Sequence, residues 1–401
     1  LMKFRVSESL VLTILLVYNS TQSSVIAFSP ITLILSLIFA LYLFIKNKKN
    51  IDKLFVNFSL LFFLVNIFLF FSLLKFDIFL SGYMYLKFLY AYLSIKNIGL
   101  DFFKNIVKIG YYGAIISLAF FSFQIINYDF TFKFVGFLQN SFDFLTFRNE
   151  SFANNILFTV NSSAEFRNSG FMWEPKGFAN FLIISIFFQL VIGSFKVFNK
   201  KMLIMLIALI TTFSTTGFIA LFSLLIFYFL NKNLKTSLIF FPIFILFSSI
   251  IFFNTDFLYD KIVYELSLTK EYENLLYQKK DYKDDVYSLG RTGSFIVDIN
   301  DLKNRPFFGY GFTRENRTQS DFVKLIRVNG LSDLLAVYGI VGFILYFYMH
   351  HIFLKKMQNQ LNFKFAPIIL ITLIIIYTAS TLTSHPLWIS FLFLSLVYKK
   401  I

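Results

Sequence analysis

Apolar stretches bounded by charged or turn-forming residues recur along the chain at about 7–19, 26–45, 54–74, 78–95, 106–126, 175–195, 202–214, 216–230, 236–253, 330–349, 365–383 and 386–398. A helix needs about 20 apolar residues to cross a bilayer core, so the pattern predicts an all-α integral membrane protein of about twelve transmembrane helices. The runs at 202–214, 216–230 and 386–398 are short for a full crossing and are expected as half-spans, tilted helices or helices packed inside the bundle. The pattern divides the chain into an N-terminal bundle of five spans over 1–126, a polar segment 127–174, central spans over 175–253, a larger polar segment 254–329, and C-terminal spans over 330–401. Connections in compact domains usually run under a dozen residues, so both long segments are expected to carry function. Within the second, GSFIVDINDLKNRPFFGYGF predicts a short amphipathic helix with Phe295, Ile296, Ile299 and Leu302 on one face, ended by Pro306 and a Gly-Tyr-Gly turn. It is expected on the outer membrane surface or on the bundle. The DYKDD run at 281–285 reads as a solvated loop.

Charge decides which side each connection faces. Alternate connections, from Lys3 and Arg5 through Lys46–Lys53, Lys96–Lys108, Lys196–Lys201, Lys232 and Lys235, and Lys355–Lys364 to Lys399 and Lys400, hold nineteen basic residues against the acids Glu8, Asp52 and Asp101. Cytoplasmic loops carry such an excess of Lys and Arg. Both termini are therefore expected in the cytoplasm and both long segments outside, and a net charge of +15 reflects topology rather than nucleic-acid binding. The first run is expected to stay as a span, because no small-residue cleavage site closes it. The chain is 57% hydrophobic and 15% charged, far from a soluble domain, and its sixty phenylalanines are spread over every apolar run. Without cysteine there is no disulfide, thiolate site or cysteine nucleophile, and three histidines make a poor structural zinc site.

The charges at the outer ends of the spans supply the candidate chemistry. Arg167, Glu174 and Lys176 precede the sixth run, Arg291 precedes the amphipathic helix, and Asp333 lies one turn into the tenth run, four residues after Asn329 and on the same helical face. Two arginines that fork onto oxyanions, with carboxylates nearby, suit a lipid-linked phosphate or diphosphate. Lys87 lies alone near the middle of the fourth run, where an ammonium is expensive unless it faces the bundle interior or a hydrated groove. Each position also has an ordinary reading. Glu174 before Pro175 suits a helix start; Arg167 and Arg291 suit solvated loops; Lys176 suits an interfacial lysine; Asp333 suits a cap; Lys87 suits a partner for a polar group. Gly309 and Gly311 suit a turn, and His385-Pro386 suits the last outer connection.

Four stretches then resemble one family. FRNSGFMWEPKGFANF at 166–181 is similar to an Arg-x-x-Gly followed by Glu-Pro; FSTTGFIALF at 213–222 to a Ser/Thr-rich turn between two short spans; RTGSFIVDINDLKNRPFFGYG at 291–311 to an Arg-led helix ending in Pro-x-x-Gly-x-Gly; and VNGLSDLLAVYGIVGF at 328–343 to the segment that opens the next span. Their order resembles the O-antigen polymerase and ligase superfamily of membrane glycosyltransferases. Ligases typically begin the last segment with His-Asn, where this chain has Val328-Asn329, which favours the polymerase branch. The resemblance implies a bacterial inner-membrane enzyme that joins undecaprenyl-diphosphate-linked oligosaccharide repeats on the outer face, with that lipid as donor and acceptor, with no cofactor, and with a chain-length regulator and a flippase as partners. Glu174 and Asp333 are then the candidate bases, and Arg167, Arg291, Lys176, Lys87 and Asn329 the candidate substrate-binding residues. The rivals are a ligase that moves polysaccharide to a second acceptor and a transporter or flippase.

Overall fold

The computed structural model describes residues 7–141 apart from 22, 24 and 74; 152–232 apart from 197 and 198; 263 and 267; 282–312; 317; and 323–397. The run at 236–253 lies outside the described residues. The protein is mostly helical, with α1 at Glu8–Tyr18, α2 at Val25–Phe28, α3 at Pro30–Lys46, α4 at Lys53–Ser72, α5 at Ile78–Ile98, α6 at Asp101–Ile126, α7 at Tyr128–Ser141, α8 at Pro175–Ile192, α9 at Lys200–Ile210 and α10 at Thr215–Lys232. Helices α11 at Arg291–Asn304, α12 at Gly330–Leu361, α13 at Ala366–Ala379 and α14 at Pro386–Ser390 follow. Among the described residues six helices, α4, α5, α6, α8, α10 and α12, are long and apolar enough to cross a membrane. Local signals set their starts. Ser7, Asp77 and Asn199 cap α1, α5 and α9 by accepting backbone N–H groups, and Pro30, Pro175 and Pro386 stand in the first turns of α3, α8 and α14.

Contacts between helix ends show that the spans alternate in direction. At one end Lys46 pairs with Glu8 at 2.6 Å, Lys96 pairs with Asp52 at 2.8 Å, and Asn231 exchanges hydrogen bonds with the backbone of Lys364 at 3.0 and 2.6 Å. At the other end Trp173 N donates to Thr21 O at 3.2 Å, Ser23 Oγ donates to Phe171 O at 2.9 Å and Leu387 N donates to Ser20 Oγ at 2.9 Å. The described lysines of the alternate connections therefore share the first end, and Arg167, Glu174 and Lys176 share the second. Helix α8 is central, with 78% of its span buried, while α4 is peripheral, with 11%. Helix α4 holds to the bundle through rings, Phe55 on Tyr92 at 3.8 Å and Phe58 on Phe393 at 5.6 Å.

Of the alternatives for the short run at 386–398, the structure has it packed inside the bundle: α14 has five residues and is followed by turns, and Trp388, Ile389, Phe391 and Phe393 are all buried. Its apolarity serves the protein interior. The segment 127–174 is not merely a loop, since it contains α7 and a hairpin of β1 (Phe152–Asn154) and β2 (Thr159–Asn161). The DYKDD stretch enters a strand, β3 (Tyr282–Ser288), which pairs in parallel with β4 (Val323–Ile326).

Helix α12 is interrupted. At Gly339 the backbone turns to φ 65°, ψ −170°, a region that is essentially glycine-only. The Pro306–Gly311 turn fills the break. Ile340 N and Val341 N donate to Pro306 O and Phe307 O at 2.7 and 3.2 Å, and Tyr310 N and Gly311 N donate to Ala336 O and Val337 O at 2.9 and 2.8 Å. Broken helices at membrane depth persist only where other groups take up the freed backbone, and this turn does so. Gly309, at φ +63°, lies where a Cβ would meet Ala336 O at 2.5 Å. Gly339→Ala is expected to cost more than the roughly 1–3 kcal/mol of the backbone strain alone, because the new Cβ would also stand 2.3 Å from Phe307 O. Thermal unfolding in detergent checks this, with Gly82→Ala, where the added carbon meets nothing within 4 Å, as the matched control.

Candidate functional site

Arg167 is held in place from both sides of its chain. The β1–β2 hairpin runs into a single turn of 3-10 helix at Ser162–Ala164, after which Arg167 N donates to Ala164 O at 3.0 Å. The next residue, Asn168, is buried, and its N donates to Thr211 O at 2.9 Å while its side-chain amide reaches Thr211 Oγ1 at 3.0 Å and Ser117 Oγ at 3.2 Å. The Arg167 guanidinium donates through Nε to Thr212 O at 3.1 Å. The turn between α9 and α10 that precedes FSTTGF is thus the mould for the arginine. Burial lowers the Arg167 pKa; the charge of Glu174 raises it and that of Arg291 lowers it, so both groups lie within electrostatic reach of Arg167.

Glu174 occupies the N-cap position of α8, with its carbonyl accepting from Gly177 N at 3.0 Å and Phe178 N at 3.2 Å. Its carboxylate makes no capping hydrogen bond and pairs with Lys176 at 2.7 Å. The backbone therefore starts the helix and leaves the charge facing the site. Arg291 begins α11, and its carbonyl accepts from Asn329 Nδ2 at 3.4 Å. Asn329 Oδ1 caps α12 by accepting from Leu331 N at 3.1 Å and Ser332 N at 3.3 Å. Asn329 thus joins the starts of α11 and α12. Arg167, Glu174, Lys176 and Arg291 form one group, and Asn329 sits behind it.

Asp333 belongs to a second group. Its Oδ1 accepts from Arg317 at 2.6 Å, with both side chains largely enclosed. Deeper still, Arg327 pairs with Asp298 at 2.6 Å and with Asp301, two carboxylates with no exposed surface, and Ser332 Oγ donates to Asp298 at 2.6 Å. These residues show which face of the amphipathic helix meets the bundle. Gly293, Ser294, Val297, Asp298 and Asp301 of α11 face inward, while Phe295 is 45% exposed. The polar face packs against α12 because the Arg327 guanidinium and the Ser332 hydroxyl satisfy its carboxylates there. Arg317, Arg327, Asp298, Asp301 and Ser332 went unread in the sequence, although the i, i+3 spacing of Asp298 and Asp301 opposite the apolar face is a usable signal.

Lys87 stands apart. Its Nζ donates to Ser384 O at 3.2 Å and lies 4.8 Å from the centre of the Tyr83 ring. The turn that holds it also receives the start of α12, since a Cβ on Gly330 would stand 2.1 Å from Ser380 O. An apolar groove runs between α4, α5 and α12, lined by Phe62, Leu69, Phe88, Phe308, Gly311 and Tyr346. Among the described residues no group of three His, Asp or Glu side chains is placed to hold a metal ion. No family model, curated protein or solved structure matches this chain. Its chemistry therefore rests on the geometry of these groups. Two guanidinium groups and an ammonium beside one half-exposed carboxylate can bind a multiply charged anion and accept a proton next to it.

The second group has a pH signature. Loss of hydration pushes the Asp298 carboxyl up to about 6, against the pull of Arg327, the hydrogen bond from Ser332 and the charge of Arg317, while Asp333 adds to the rise. An unfolded aspartate titrates near 3.9. The folded protein thus binds the extra proton between about pH 4 and 6, so this carboxyl stabilises the fold most below that window and least above it. Hydrogen-exchange protection of α11 is expected to fall as pH rises from about 4 to 7. In Asp298→Asn that share of the slope disappears; an unchanged slope contradicts the assignment.

Proposed function

We propose that the protein is a membrane glycosyltransferase that polymerises undecaprenyl-diphosphate-linked oligosaccharide repeats on the outer face of a bacterial inner membrane. The observation that carries this reading is that Glu174 and Arg291 both bear electrostatically on Arg167, at the end of the bundle opposite the Lys46–Glu8 and Lys96–Asp52 pairs. In the proposed reaction an acceptor hydroxyl forms a new bond to the anomeric carbon of the donor sugar. The bond from that carbon to the diphosphate oxygen breaks, and the lipid diphosphate leaves with the electron pair. Arg167 and Arg291, with Lys176, meet the charge that grows on the leaving group, the kind of preorganised contact that contributes most to such steps. Glu174 takes the hydroxyl proton. Both carboxylates have a cationic partner, and Asp333 is the weaker choice of base because its side chain is 19% exposed against 37% for Glu174, and its partner Arg317 is the more enclosed. The apolar groove along α4 and α12 has a lining that suits a lipid chain.

The reading requires external placement of 127–174 and 254–329. Reporter tags placed within 127–173 and 255–327 are expected to report the outer compartment, and tags within 46–53 and 355–364 the cytoplasm. Cytoplasmic placement of either long segment would put the arginines on the wrong side for a substrate in the outer leaflet.

A further inference from the structure

Helix α7 has three distinct faces. Thr131, Val135 and Gln139 point inward: Val135 packs with Phe121, Phe158 and Val160, and Gln139 Oε1 accepts from Asn154 N at 3.0 Å. Phe130, Phe134 and Phe137 are 59%, 43% and 67% exposed, and at 3.6 residues per turn they form a stripe about 60° wide. Asp129, Lys133 and Asn140, all exposed, form a polar stripe turned about 80° from it. A helix with one face on protein, one apolar face outward and one charged face outward fits a boundary between three media.

The neighbouring helix says what covers the phenylalanines. Helix α6 is of membrane-spanning length and apolarity, and its last turns expose Phe123, Ile125 and Ile126 at 59%, 56% and 80%. Helix α7 starts two residues after Ile126. A spanning helix exposes such a surface to hydrocarbon, and the phenylalanine stripe continues it.

We infer that α7 is an in-plane membrane-surface helix, with Phe130, Phe134 and Phe137 seated between the headgroups and acyl chains of the leaflet at the site's end of the bundle. Lys133 reaches the headgroup layer and Asp129 and Asn140 face water. The inward face grips the β1–β2 hairpin that leads to Arg167, so the membrane surface itself sets the height of that arginine relative to the lipid phosphates. The inference rests on the membrane character of the chain and is independent of the proposed reaction.

The absence of cysteine makes each introduced thiol unique. Single variants Phe130→Cys, Phe134→Cys and Phe137→Cys, with Asp129→Cys, Lys133→Cys and Asn140→Cys for comparison, are labelled with a nitroxide in the full chain in phospholipid nanodiscs. Collision with dissolved oxygen and with a water-soluble nickel chelate is then measured. The oxygen-to-nickel ratio is expected to be several-fold higher at the three phenylalanine positions than at the three polar ones. Equal ratios on the two stripes would place the phenylalanines in water and overturn the inference. Shielding of the phenylalanine positions from both reagents would show protein, such as a second copy, on that face and would overturn it equally. If one labelled variant misfolds, the remaining two positions on its stripe decide the outcome.

Discussion

Arg167→Lys is expected to slow repeat-unit polymerisation nearly as much as Arg167→Ala. The guanidinium is oriented by its Nε–H bond to Thr212 O, and in the proposed reaction its planar fork meets the diphosphate. A lysine keeps the charge and loses that planar fork. Removing a preorganised donor to a leaving group costs about 2–4 kcal/mol, or roughly 30- to 1000-fold in rate, and Arg291→Ala is expected to fall in the same range. Glu174→Gln separates a proton acceptor from a helix start. Since the carboxylate makes no capping bond, the amide is expected to leave the melting temperature nearly unchanged and to abolish turnover. Rates are read from extension of a lipid-linked repeat at matched membrane levels of each variant.

Arg327→Ala is expected to be the most destabilising of the charge deletions, by about 3–5 kcal/mol, the usual cost of stranding a buried partner. Here two carboxylates without exposed surface, Asp298 and Asp301, lose one shared guanidinium. Burial works against the Arg327 charge, and the two aspartates more than offset it, raising its pKa. Replacing all three residues by apolar ones of similar size is expected to recover much of the lost stability, because buried ion pairs often give little net gain over packed hydrocarbon. Thermal unfolding of the single and triple variants checks both statements. A single variant as stable as the parent would show that the network does not hold α11 to α12.

The hydrophobic pattern made the helices legible and left their surroundings unreadable. The run 386–398 stood apart from 54–74 by its length alone, and the structure encloses Trp388 to Phe393 in protein while α4 is peripheral. Apolar residues satisfy lipid and protein interior equally, so periodicity cannot distinguish the two. In α11 the pattern showed an apolar face and left open what the other face meets. Asp298 and Asp301 find their buried partners in Arg327 and Ser332, about thirty residues later. Arg167 and Glu174 were visible because short motifs carry them, whereas the fit of Arg167 to Thr212 spans forty-five positions and is a product of the fold. Asn329 was visible as a residue at the start of a span, but its capping of α12 was not, since a capping side chain and a ligand-binding one share the same amide chemistry.

The most direct measurement is the incubation of purified protein in nanodiscs with an undecaprenyl-diphosphate-linked repeat unit, separating products by size and quantifying the released lipid diphosphate. The account predicts a ladder of lipid-linked products differing by one repeat, one diphosphate released for each new bond, and loss of the ladder in Arg167→Ala and Arg291→Ala. A ladder of unchanged rate in both variants, or no bond formation by folded parent protein supplied with the repeat from its cognate polymer, would contradict it.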